Sequence, residues 1–148
     1  MGDPLGGASA GKKKADSVAD AINNLLRNLS IRCARAEGIR DYFHIGAIGY
    51  GASVGPAFSG SLIGKEIVPI SQVAEYPARI EDRTRKVDDG AGGLVDESVK
   101  FPVWFEAVAN NGTPMCSAFS KAINIVKGFV STYPNCFPPI VIHFTDGE

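Results

Sequence analysis

Two oxygen-bearing side chains stand where a hard cation could use them. Asp146 follows the apolar run Ile140–Phe144 in the string Phe144-Thr145-Asp146-Gly147. If that run is a strand, the carboxylate sits at its carboxyl end, where open α/β sheets hold their ligands. Upstream, Asn111-Gly112-Thr113-Pro114-Met115 sets a threonine hydroxyl in a turn that opens a helix, within reach of the same sheet edge. Threonine and aspartate are hard donors of the kind that suit Mg²⁺ or Mn²⁺. Helix capping by Thr113 and a strand-end turn at Asp146 are the plainer readings of the same residues.

Other constellations are weaker. Gly6-Gly7-Ala8-Ser9-Ala10-Gly11-Lys12-Lys13 nearly spells the phosphate-cradling Gly-x-x-x-x-Gly-Lys-Ser/Thr loop and precedes a helix. That loop needs a strand before it and a hydroxyl after the lysine, whereas only Met1–Leu5 precede it and Lys13 takes the hydroxyl's place. Asp88, Asp89, Asp96 and Glu97 lack the alternate-residue spacing of an EF-hand and read as a solvated turn. His44 and His143 lie in apolar runs with no serine or cysteine nucleophile motif beside them, as histidines packed in or beside a core do. Cys116, close to a helix N-terminus, could be a reactive thiol, although a small apolar helix residue is the commoner case.

Composition narrows the classes of function. The chain has 148 residues, 45% hydrophobic and 21% charged, enough apolar surface for one core. Its net charge is -1 and its isoelectric point about 6.1, which favours neither nucleic acid nor an anionic membrane. Cys33, Cys116 and Cys136 form no CxxC pair, so neither a zinc cluster nor a disulfide framework is indicated, and a reducing, cytoplasmic setting is expected. No leader and no membrane-spanning run of apolar residues is expected.

The elements that must position these residues follow from periodicity. Residues 1–14 read as a flexible Gly/Lys-rich loop, and 15–148 as the domain. Val18, Ile22, Leu25, Leu26 and Leu29 fall at helical spacing within a helix over Ala15–Ala36, stopped by Gly38. Tyr42–Tyr50 reads as a strand buried on both faces, with Gly46 and Gly49 leaving room for a closely packed helix. A weaker strand, broken by Gly64 and Pro69, is expected around Leu62–Ile70, where an edge position tolerates the proline. Ser71–Asn111 stays unassigned apart from a turn at Asp88–Gly93 and an apolar patch at Val103–Phe105. A second helix opens at Pro114, carries a stripe of Phe119, Ala122, Ile123, Val126 and Val130, and stops at Pro134. Ile140–Phe144 then reads as a final buried strand. The order fits a Rossmann-like, doubly wound α/β fold with a mostly parallel sheet and flanking helices, its first strand missing.

Here the chain resembles the von Willebrand factor A-type (vWA) family, whose metal site combines an Asp-x-Ser-x-Ser motif, a Gly-Thr turn and an Asp-Gly strand end. Thr113 matches the metal-site threonine and Asp146 the aspartate of Thr-Asp-Gly. The helix after the first motif resembles Asp16–Leu29, and the family's second strand resembles Phe43–Gly51. No Asp-x-Ser-x-Ser occurs, so the resemblance implies a domain truncated at both ends, with the first strand upstream of Met1 or lost. It implies a non-enzymatic protein-binding module that takes a partner's carboxylate on a divalent ion. With only Thr113 and Asp146 present, Mg²⁺ or Mn²⁺ binding should be weak or absent, because Mg²⁺ dehydrates reluctantly. Flanking strands left without the central one should self-associate, unless Tyr42–Tyr50 pairs directly with Ile140–Phe144. The alternatives are a nucleotide-binding protein using Gly6–Lys12, or a gene fragment with no function of its own.

Overall fold

The computed structural model describes residues 14–88, 90, 92–108 and 112–144. The first helix, α1, spans Lys14–Cys33 and buries Ala15, Asn23, Leu26, Ser30 and Cys33. Those positions recur every three or four residues from Asn23 onward, so one face is covered. Lys14 is already helical, and the helix ends three residues short of the expected Ala36. There the chain turns through Ala36–Glu37, pairing β1 (Ala34–Arg35) antiparallel with β2 (Gly38–Ile39).

The expected strand Tyr42–Tyr50 divides into β3 (His44–Ile45) and β4 (Ile48–Tyr50), which serve different sheets. β4 pairs with β5 (Val54–Pro56) across a short turn, and β3 pairs with β6 (Val68–Pro69). The run is not buried on both faces: Tyr42 and Phe43 are exposed, and both strands are at best half-buried. The helix that follows Pro114 lies against β4, but the glycines themselves face other neighbours: a Cβ at Gly46 would lie 2.8 Å from the Glu66 carbonyl and one at Gly49 3.6 Å from Ala57 Cβ. Within the expected strand Leu62–Ile70 only β6 is extended; a 3₁₀ turn at Gly60–Leu62 precedes it and α2 (Ile70–Glu75) follows.

The unassigned stretch folds into the longest ladder, β7 (Arg79–Asp88) against β8 (Leu94–Val103), with the turn where Asp88–Gly93 marked it. Beyond it, Trp104 and Phe105 enter the core. α3 spans Met115–Thr132 directly after Pro114, as expected, but only Ala118 is buried on it.

These elements overturn the doubly wound parallel sheet. The described residues form four two-stranded sheets, each antiparallel. The physical cause is local: connections of a few residues between β1 and β2, β4 and β5, and β7 and β8 can only send the chain back alongside itself. The expected last strand also departs from the reading. Ile140–Phe144 joins no ladder, with Ile140 78% and Ile142 61% exposed, and it does not pair with Tyr42–Tyr50.

One core gathers Leu26 and Cys33 of α1, Phe58, Leu62, Val68, Ile70, Val73, Trp104 and Phe105. Removing a side chain such as Leu62 or Ile70 from water contributes about 1.5–3 kcal/mol each. Four hydrogen bonds fix its register. Asn23 Oδ1 accepts from the backbone N–H of Trp104 (2.8 Å) and of Phe105 (3.0 Å), while its Nδ2 donates to the Phe105 carbonyl (3.1 Å). The Trp104 indole N–H donates to the Val73 carbonyl at 2.6 Å.

Candidate functional site

Thr113 stands just ahead of α3, in a turn that its neighbour Gly112 makes feasible. Gly112 has φ +110°, and a Cβ there would come within 3.1 Å of the Gly51 carbonyl oxygen, so both backbone conformation and space require glycine. The turn is thereby pressed against the bend between β4 and β5. Met115 N–H donates to the Thr113 carbonyl at 2.7 Å, and Ala118 N–H to that of Pro114 at 3.0 Å. The residue flanking the helix is Pro114, and no side chain caps it. Capping is therefore not the role of Thr113, whose side chain is exposed and makes no hydrogen bond among the described residues.

Asp146 lies outside the described residues, but the segment leading to it is held at the same place. The Tyr50 hydroxyl is 2.6 Å from His143 Nε2 and donates to the Phe144 carbonyl at 3.3 Å. With the proton on Nε2, the imidazole donates to the Tyr50 oxygen and the phenol donates onward to Phe144, so both contacts are satisfied in one chain. Phe119, in the second turn of α3, meets the His143 ring edge-on at 5.2 Å between centroids. Gly112 and Phe144, each within two residues of a sequence-derived candidate, thus both rest on the Tyr50–Gly51 pair.

The donor set falls short of a resident metal centre. No cluster of three or more His, Cys, Asp or Glu suited to a metal occurs among the described residues. One neutral hydroxyl and one carboxylate leave most of the octahedral shell of Mg²⁺ to water.

The remaining candidates resolve into structure. His44 is half-buried against the rings of Phe129 (5.2 Å) and Tyr133 (5.4 Å), which also meet each other, a packed histidine beside the core. Cys116 is exposed in the first turn of α3, and all three cysteines are free. Asp88 accepts from Gly90 N–H at 2.7 Å, an Asx turn closing the β7–β8 hairpin, while Glu97 pairs with Arg85 at 2.8 Å. Asp89 and the Gly6–Lys13 loop lie outside the described residues.

Two clefts stand out among the described residues. One of 250 Å³ lies between α1 and the hairpin, but its arginines are engaged: Arg83 with Asp20 and Glu81, both at 2.8 Å, and Arg79 with Glu81 at 2.6 Å and with Glu106. Hydrogen bonds from Arg83 and then Arg79 hold the Glu81 carboxyl below the usual range, as expected of a structural ion network. The other, of 530 Å³, runs along α3 over Gly128, with the Lys121–Glu66 pair (2.6 Å) on its wall.

Sequence reasoning missed Tyr50 and Gly51 as the hub of the candidate rim. The available signal was the end of an apolar run in Gly49-Tyr50-Gly51, a strand terminus like that before Asp146. No described helix is long and apolar enough to cross a membrane. Comparison with family models, with curated proteins and with solved structures finds no match.

Proposed function

We propose that this chain is a non-enzymatic protein-binding module whose contact surface is the rim around Thr113, with Asp146 supplying a second oxygen donor. The observation that supports it most is the shared seat of Gly112 and Phe144 on Tyr50–Gly51, which brings the approaches to Thr113 and Asp146 to one edge. A hydroxyl with no hydrogen-bond partner among the described residues is open to a ligand there. Two donors cannot retain a divalent ion alone, so a partner's carboxylate would share a weakly held Mg²⁺ or Mn²⁺ and gain affinity from it. No bond is made or broken.

Mn²⁺ titration by calorimetry, with and without an acidic peptide in excess, tests the proposal. Weak Mn²⁺ binding that the peptide strengthens, and that Thr113→Ala and Asp146→Ala each reduce several-fold, is expected. Retention of the same Mn²⁺ affinity by both variants, or no binding in either condition, would remove the rim as a contact site.

A further inference from the structure

The segment Ile140–Val141-Ile142-His143-Phe144 has the composition of a strand and none of the pairing of one. Four of its five residues are β-branched or aromatic apolar types that favour a pleated, covered surface. Yet Ile140, Val141 and Ile142 are 78%, 59% and 61% exposed, and no backbone–backbone hydrogen bond joins residues 137–144 to any described residue, the Phe144 carbonyl being taken by the Tyr50 side chain. Phe119 of α3 adjoins it through His143, and Phe137 precedes it at 81% exposure. With large apolar side chains presenting roughly 150–250 Å² each when open, these residues leave on the order of 700 Å² uncovered. Summed in this way, the open apolar surface is comparable with the ~800 Å² each partner gives to a standard interface.

We infer that this segment pairs with its own copy, antiparallel about a two-fold axis through Ile142. A strand offers the main-chain groups of alternate residues to opposite edges. The Phe144 carbonyl is turned to Tyr50, so the groups of Val141 and His143 belong to the other edge. Pairing on that edge sets Val141 against His143 as hydrogen-bonded partners, Ile140 against Phe144, and Ile142 against Ile142 as the close, non-hydrogen-bonded pair. No charged side chain opposes another in this register. A parallel pairing would instead set Asp146 beside its copy, a like-charge contact that disfavours it. Pro138 and Pro139 lack N–H donors and end the ladder before Ile140, so the register is confined. The interface is isologous, and therefore closes at two copies.

Sedimentation velocity over a wide concentration range, paired with cysteine cross-linking, tests this independently of metal or acidic peptide. A monomer–dimer equilibrium is expected, with Ile142→Lys weakening it by about tenfold or more because two ammonium groups then meet on the axis. In a background of Cys116→Ser with Cys136→Ser, Ile142→Cys should form an intermolecular disulfide much faster than Val141→Cys. The Ile142 copies stand at about 4.5 Å between Cα atoms, and those of Val141 beyond disulfide reach at roughly 7 Å or more. A monomer at every concentration, species that grow past the dimer, or equal cross-linking of the two cysteine variants would overturn the inference. A dimer unchanged by Ile142→Lys would do so as well.

Discussion

The side-chain amide of Asn23 takes up both the N–H and the C=O of Phe105, at 3.0 and 3.1 Å, acting on that residue as a neighbouring strand would. Its carbonyl also accepts from Trp104 N–H at 2.8 Å. Strand β8 ends at Val103, so these groups have no ladder partner, and the amide, 1% exposed, substitutes for one. The contact ties the middle of α1 to the chain leaving the hairpin, more than eighty positions away in sequence. It fixes where Trp104 enters the core.

Replacement of Asn23 by alanine would strand two buried donors and one acceptor. Each costs about 1–3 kcal/mol, and the total should be about 3 kcal/mol or more. Urea unfolding followed by Trp104 fluorescence measures it, since Trp104 is the only tryptophan. A loss below about 1 kcal/mol would mean that the freed backbone groups reach water, and the assigned role of Asn23 would be wrong.

What could be read ahead of the structure was local in origin. The stripe through Ile22, Leu26 and Leu29 marked α1, Pro114 marked the start of α3, and the glycines after Asp88 marked the hairpin turn. Each depends on neighbours a few positions away. Asn23 carried no such signal, because its partners are set by tertiary packing and an asparagine within a helix looks like a solvated one. The sheet was misjudged for a related reason. A short apolar run such as Tyr42–Tyr50 does not reveal how many partners it has, and here Gly46 and Ala47 divide it between two sheets. Thr113 could be found because a Gly-Thr-Pro turn is visible in one string. Its seat on Gly51 could not, since nothing in sequence links positions 112 and 51.

The ion network on the hairpin gives stability a pH dependence of definite sign. Arg83 and Arg79 lower the Glu81 carboxyl, so the folded chain holds that site ionised where the unfolded chain would take up a proton. The contribution is complete above the ordinary glutamate value of about 4.3 and is lost as pH falls below it, through the lower folded value. Glu81 and Arg83 are each about one-third exposed, so the gain is held to about 1 kcal/mol or less by solvent screening. Chemical denaturation from neutral pH down to acid should show a steeper fall in the native chain than in Glu81→Gln. Parallel curves for the two would mean that Glu81 titrates alike in both states.

Tyr50 is the remaining point of leverage, because one hydroxyl holds the segment that leads to Asp146. Tyr50→Phe keeps the ring against His143, whose centroid lies 5.7 Å away, and deletes only the two hydrogen bonds. Both lie at the surface, where water replaces the lost partners, and neither touches the core around Trp104. Global stability should therefore change by about 1 kcal/mol or less, while the segment loosens locally. Chymotrypsin, limiting in amount, should cut after Phe144 several-fold faster in the variant. If the rim around Thr113 binds as proposed, the Mn²⁺ response to an acidic peptide should weaken alongside, although Tyr50→Phe removes no donor assigned to the ion. Unchanged cleavage after Phe144 would show that Phe119 and the apolar side chains hold the segment unaided, and the hydroxyl would lose its place in the site.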